Sequence, residues 1–197
     1  YSGYIKIYNQ GSCGSCYAFS QATNMQTNHL ISTQNLIELS PQQGVDCGYN
    51  VGCNGCSGGL IHKLFNYFTN PKLPKNAATL ASYPYMNADG ACSDGASNLT
   101  TKYGMKLQNW KGYYNESGMS EYYILEGLKT GVVGGAVACD QTKWYAYKSG
   151  IMTYKECYLA GATINHAINI VGYGCDIDGI KYWIISNCWS TLWGEAG

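Results

Sequence analysis

Cys13 and Cys16 lie three residues apart, as do Cys53 and Cys56, and six further cysteines are spread along the 197 residues. Each of the ten must be bridged, ligated or kept as a thiol, and each choice implies a different fold. In a reducing compartment so many cysteines point to metal or redox work; in an oxidising one they point to disulfides. Two C-x-x-C pairs are a zinc signal when taken alone. A single C-x-x-C is also the redox spacing of a thioredoxin-like unit, but that motif follows a strand in a βαβ unit, and no such pattern is visible. Plain disulfide cysteines are the third reading.

The charge balance removes other functions. Acidic and basic residues number 12 each, and every basic residue is Lys. A nucleic-acid surface needs a basic stripe and favours Arg, so none is expected. Only 12% of residues are charged, against about 25% in typical domains. No apolar run approaches the roughly 18 residues of a membrane-spanning helix. The length fits one large domain or two small ones sharing a core. No repeat or low-complexity segment appears, and no basic-then-apolar leader opens the chain.

Hydrophobic spacing predicts three helices. The first runs from about Cys16 to Leu30, with Ala18, Phe19, Ala22 and Met25 on one face. The second follows Gly58-Gly59, with Leu60, Ile61, Leu64, Phe65 and Phe68. The third spans about Ser120 to Lys129, with Ser120 as N-cap and Gly131 as stop. The segment between the second and third is loop-rich and holds Pro71, Pro74 and Pro84. Strands are predicted at Val132–Ala138, His166–Gly174 and Ile180–Ser186, the last two joined by Asp176, Asp178 and Gly179. Tyr1–Tyr8 alternates loosely like a strand. Helices first and strands later make an α+β pattern with two lobes, divided near residues 105–110.

The block Gln10-Gly11-Ser12-Cys13-Gly14-Ser15-Cys16-Tyr17 opens the first predicted helix. A thiol at a helix N-terminus feels the positive end of the dipole and the unspent amides. Its pKa falls, and the thiolate is the nucleophile. A neighbouring imidazole lowers it further and can later protonate a leaving group. The small residues before Cys16 allow a substrate backbone to approach.

Cys13-Gly14-Ser15-Cys16-Tyr17, with Gln10 six before Cys16, resembles the papain-like cysteine proteases. The likeness runs over essentially the whole chain. Leu39-Ser40-Pro41-Gln42-Gln43 through Val45-Asp46-Cys47 is similar to that family's L-S-x-Q-x-L-V-D-C. Gly55-Cys56-Ser57-Gly58-Gly59-Leu60 is similar to its G-C-N-G-G-L, and Tyr83-Pro84-Tyr85 to its Y-P-Y. Asn165-His166-Ala167 precedes Val171-Gly172-Tyr173-Gly174, and Tyr182-Trp183-Ile184 leads to Asn187-Cys188-Trp189 and Trp193-Gly194-Glu195, in the family's order. Two departures stand out: Tyr17 where the family usually has Trp, and Ser190 where it has Gly.

The resemblance implies a two-lobed α+β fold. A helical lobe (9–107) would carry the nucleophile. A β-barrel-like lobe (1–8 and 108–197) would carry His and Asn, with the cleft between them. Cys16 would attack a peptide carbonyl, and His166 would serve as its base and as acid for the amine. Asn187 would orient the imidazole, and Trp189 would cover that bond from water. Gln10 and the Cys16 N–H would form the oxyanion hole. Gly58 and Gly59 would bind extended substrate by strand-like hydrogen bonds, alongside Asn165. Leu60, Ile61, Ala136 and Ile164 would line the pocket for the second residue before the scissile bond (P2). That pocket would prefer Leu, Val or an aromatic and use Arg poorly; for Ile61 and Ile164 plain core packing is an even alternative. His29 and His62 read as structural histidines.

The family's pairing implies disulfides Cys13–Cys56 and Cys47–Cys92, with Cys16 free, which dismantles the zinc reading. Cys53, Cys139, Cys157, Cys175 and Cys188 remain, an odd number. Cys157 would pair beyond residue 197, and Cys188 would stay a buried thiol or pair with Cys139 or Cys53. The family continues about twenty residues past the position of Gly197 and several before Tyr1, so the natural polypeptide is expected to be longer. No cofactor or metal is implied. The implied partners are peptide or protein substrates, the chain's own propeptide and cystatin-like inhibitors, with a monomeric enzyme. The sequons at Asn98 and Asn115 fit a lysosomal, vacuolar or secreted location. The rivals are a catalytically silent relative that keeps the fold, a zinc or redox protein, and an exopeptidase, for which no blocking insertion is visible.

Overall fold

A computed structural model describes residue 3 and residues 5–72, 76–93, 104–112, 120–153 and 163–197. Cys157, Pro74, both sequons and parts of the Tyr1–Tyr8 segment lie outside the described residues.

Among the described residues, three helices build the first half. The helix α1 (Cys16–Thr33) runs three residues beyond its predicted end and stops at Gln34, which takes a left-handed φ of 58° and returns its N–H to Leu30 O. Helix α2 (Pro41–Cys47) is capped by Ser40, whose hydroxyl accepts the Gln43 N–H, with Pro41 in the first turn. It is short and its residues are all buried, so it lacks the amphipathic stripe that sequence reading relies on. Helix α3 (Ile61–Thr69) starts one residue after Leu60 and buries Leu64, Phe65, Tyr67 and Phe68. Two 3-10 turns, Gly48–Val51 and Gly55–Ser57, link α2 to α3.

Helix α4 (Glu121–Leu128) is capped by Ser120, as expected. It is followed by β1 (Val133–Val137), α5 (Gln141–Ala146), β2 (His166–Cys175) and β3 (Lys181–Ser186). The strands form an antiparallel sheet in the order β1-β2-β3. Helix α5 was not foreseen from the spacing of apolar residues. It has only six residues, and its one strong sequence signal is Asp140, whose carboxylate caps Thr142 and Lys143.

The expected N-terminal strand is corrected. Residues 5–8 form no strand; Asn9 makes a single bridge with Trp189. The Ser190 N–H donates to Tyr8 O and the Gln10 N–H to Cys188 O. These bonds tie Tyr8, Asn9 and Gln10 to the loop after β3.

The period of two along β2 separates two cores. Ala167 packs toward Tyr17, Ala18 and Leu64. Ile168 and Ile170 face the other way, toward Ile124, Leu128, Trp144 and Trp193. A further cluster of Met25, Leu39, Phe65, Tyr67 and Phe68 holds the helices to one another.

Candidate active site

Cys16 is the first residue of α1. Ser15 precedes it but does not cap the helix. Its hydroxyl is engaged with Tyr85 Oη at 2.8 Å and lies 3.4 Å from Cys13 O. The helix therefore begins with amides that no capping side chain claims, beside a half-buried thiol. Gly14 is needed because a Cβ there would sit 2.5 Å from the Cys56 carbonyl oxygen. The Gly14 N–H donates to that same oxygen at 2.9 Å.

Among the described residues there are two disulfides, Cys13–Cys56 and Cys47–Cys92, and the first lies at this end. The first joins one cysteine from each C-x-x-C pair. That removes the zinc and Cys13–Cys16 redox readings, since a bridged sulfur is neither a thiolate ligand nor an exchange partner for Cys16. Cys53, Cys139, Cys175 and Cys188 are free, so Cys188 pairs with neither Cys139 nor Cys53.

His166 opens β2 and is 5% exposed. Its Nε2 lies 2.8 Å from Asn187 Oδ1. The same oxygen accepts the Cys188 N–H at 2.8 Å. Trp189 lies against the imidazole, with ring centroids 4.6 Å apart. Cys16 packs against the cluster that holds Ala167, the residue next to His166, and the Ala167 amide is among the groups that pull the thiol pKa down.

The electrostatics correct one expectation. The Cys16 pKa lies above its ordinary value, because burial outweighs the hydrogen bonds from the Ala167, Tyr17 and Cys16 amides that pull it down. Burial also pushes His166 below its ordinary value, opposed by the bond to Asn187. Both shifts disfavour an isolated charge on either group.

Gln10 is held from several sides. Its Oε1 accepts from Cys188 Sγ at 2.9 Å and from Trp189 Nε1 at 3.1 Å. Its Nε2 donates to Cys13 O at 2.8 Å. Two donors on the oxygen fix which way the amide faces. Of the alternatives for Cys188, the buried thiol is the one observed; it donates to Gln10, with burial raising its pKa well above the ordinary value so that the S–H is kept.

The expected substrate-contact residues differ in their surroundings. Gly58 has a φ of 105°, a backbone that favours glycine, and Gly59 backs onto Tyr17, whose ring a Cβ would meet at 2.6 Å. Leu60 is 46% and Ile164 64% exposed, and Ala136 also faces solvent on β1. Ile61 packs against both helical clusters. Asn165 is exposed, and its amide exchanges two bonds of 2.9 Å with the Cys139 backbone. Tyr145 on α5 stacks on Trp189 at 4.4 Å, a contact hidden from sequence reading because α5 itself was. His29 lies far along α1 from Cys16, and His62 lies in the first turn of α3.

Comparison with known proteins follows the same lines. A family described as "Papain family cysteine protease" matches residues 2–197. The cathepsin L-like proteinase of Fasciola hepatica is 37% identical over 200 residues, covering 100% of this chain and 56% of that protein. Ananain of Ananas comosus is 36% identical, covering 97% and 50% respectively. The chain thus spans about half the length of the curated relatives it matches. Among solved structures, the bromelain protease of Ananas comosus in complex with the E64 inhibitor superposes with a TM-score of 0.77 at 30% identity, covering 100% of this chain and 83% of that one. The cysteine protease CMS1MS2 of Carica candamarcensis gives a TM-score of 0.79 at 27% identity, with the same coverage. The chain belongs to the papain family of cysteine proteases and has its α+β fold.

Proposed function

We propose that this chain is a cysteine endopeptidase working through Cys16 and His166. The observation that carries the reading is the convergence of three segments: the thiol at the start of α1, the Ala167 amide beside it, and the His166–Asn187 bond at 2.8 Å. Asn187 takes Nε2, which leaves Nδ1 to receive the thiol proton. The thiolate then attacks the substrate carbonyl carbon. The second N–H of Gln10 Nε2 and the Cys16 N–H receive the oxyanion. Protonated His166 gives its proton to the departing amine, leaving an acyl-enzyme. Water, deprotonated by His166, releases the acid product and the thiol.

Since burial opposes a lone charge on either group, thiolate and imidazolium form together by proton transfer within the pair, each stabilising the other. Trp189 over the ring keeps that exchange away from bulk water. Gly58 and Gly59 offer a backbone edge to extended substrate, and Asn165 serves as a further contact for it. Leu60, Ala136 and Ile164 are open enough to form an apolar P2 wall favouring Leu, Val or an aromatic side chain. Ile61 contributes mainly by packing beneath it. The lobes divide as 9–107 against 1–8 with 108–197. By family likeness the partners are peptide or protein substrates, the propeptide and cystatin-like inhibitors, and the enzyme is a lysosomal, vacuolar or secreted monomer.

A peptide-library cleavage profile of the chain and of Cys16→Ala tests the reading. Cleavage after an apolar P2 residue, abolished in the variant, supports it. Full activity in Cys16→Ala overturns it.

A further inference from the structure

Two buried polar side chains join α1, which carries Cys16, to β2, which carries His166. Ser20 lies one turn beyond Cys16 on α1, and Asn169 three residues beyond His166 on β2. Both are 3% exposed. The Ser20 hydroxyl donates to Ile168 O at 3.0 Å and lies 3.3 Å from Asn169 Oδ1. In return Asn169 Nδ2 donates to Ser20 O at 3.2 Å. Asn169 is on the central strand, where its Cα partners are Gly134 on β1 and Ser186 on β3, and Ser186 immediately precedes Asn187. The segments carrying Cys16, His166 and Asn187 therefore meet at one buried amide. Ser20, Asn169, Ser186 and Asn187 also line a common cavity of about 10 Å³. Asn187 Nδ2 is buried without a hydrogen-bond partner, so its amide is held through Oδ1 and through the packing beneath it.

The contact continues along one face of α1. Asn24 Nδ2 donates to Val132 O at 2.9 Å, and Asn28 exchanges bonds with the Val132 N–H and O at 2.8 and 3.2 Å. Ser20, Asn24 and Asn28 are spaced four apart and form a single stripe. A Cβ on Gly134 would come within 3.7 Å of Ser20 Oγ, Asn169 Oδ1 and Asn24 Nδ2, so these groups converge over that glycine. A polar seam is directional where an apolar one slides, and each unpaired group would carry a desolvation cost.

We propose that Asn169, with Ser20, is a positioning residue for the reaction: it sets the gap between Cys16 and His166 through the α1–β2 contact, without touching substrate. The inference rests on the Cys16–His166 reading. The test compares Asn169→Ala, Ser20→Ala and the conservative Ser20→Thr with the unsubstituted chain. One readout is kcat and KM on a peptide substrate. The other is the pH midpoint for alkylation of Cys16 by a small neutral haloacetamide, mapped by peptide mass spectrometry so that exposed Cys175 is not counted.

The expected result is a kcat lower by about 10-fold in the alanine variants with little change in KM, since misplacement of about an ångström costs up to about 100-fold. The alkylation midpoint moves upward because the thiolate loses part of its imidazolium partner, and Ser20→Thr restores both. Loss of thermal stability with kcat and midpoint unchanged overturns the proposal. Should Asn169→Ala fail to fold, Ser20→Ala decides, because it leaves the Asn169 Nδ2 bond to the Ser20 carbonyl in place. The alkylation readout needs no substrate. A chain that hydrolyses nothing but shows the shifted midpoint therefore refutes the protease reading and keeps the positioning one.

Discussion

Asn187 Oδ1 faces His166 Nε2 at 2.8 Å across 21 residues of chain, and the same oxygen takes the Cys188 N–H. The amide cannot turn without giving up both bonds. Removing it in Asn187→Ala should free the imidazole to rotate while Trp189 still packs on its face. We expect kcat/KM to fall by about 100-fold, the order found for an ångström of misplacement. Near-normal turnover would show that Trp189 alone orients the ring.

Gln10→Ala should act on kcat more than on KM. The amide is held by Cys188, Trp189 and the Cys13 carbonyl before any substrate arrives, so in the proposed role it would meet developing charge without rearranging. Loss of one such donor typically lowers kcat by about 100–1,000-fold. Steady-state kinetics on one peptide substrate checks this, and a change confined to KM would contradict it.

Stability should be greatest between the ordinary pKa values of His166 and Cys16, 6.5 and 9.0. His166 is held below its ordinary value, so its contribution is full above 6.5 and falls away as the pH drops through the lowered folded value. Cys16 is held above its ordinary value, so its contribution is full below 9.0 and falls away as the pH rises through the raised folded value. Cys139, pushed up to about 11 chiefly by burial, adds to the alkaline limb. Thermal unfolding followed across pH 4 to 11 should trace a plateau with losses on both sides. A midpoint of unfolding that keeps rising above pH 9 would contradict it.

Paired replacement of Cys13 and Cys56 by Ala should cost about 4 kcal/mol, the expectation for a bridge closing a loop of this length; the two residues are 43 apart. The lost bridge also abuts Gly14, so activity should fall further than that of a Cys47/Cys92 double variant of similar stability. Equal activity in the two would separate the Cys13–Cys56 bridge from the site.

Much of this fold was legible because its signals are local. Ser120 and Gly131 bracket α4, the turn residues Asp176, Asp178 and Gly179 separate β2 from β3, and the Cys16 and His166 blocks are contiguous motifs. Helix α2 was missed because burial on all sides removes periodicity, and α5 because six residues are too few to show any. The thiol's direction of shift was misjudged from the helix end alone, since burial is a property of packing that no motif states. Ser20 and Asn169 escaped for a different reason. Each is an ordinary polar residue that no local motif singles out, and their meaning comes from a pairing across 149 residues.

The most direct measurement is an active-site titration with a peptidyl epoxide, followed by intact-mass and peptide mapping of the labelled chain. One equivalent should bind, with the label on Cys16 and hydrolysis lost in proportion to labelling. A label on Cys175 or another thiol with hydrolysis retained, or hydrolysis that survives full modification of Cys16, would contradict it.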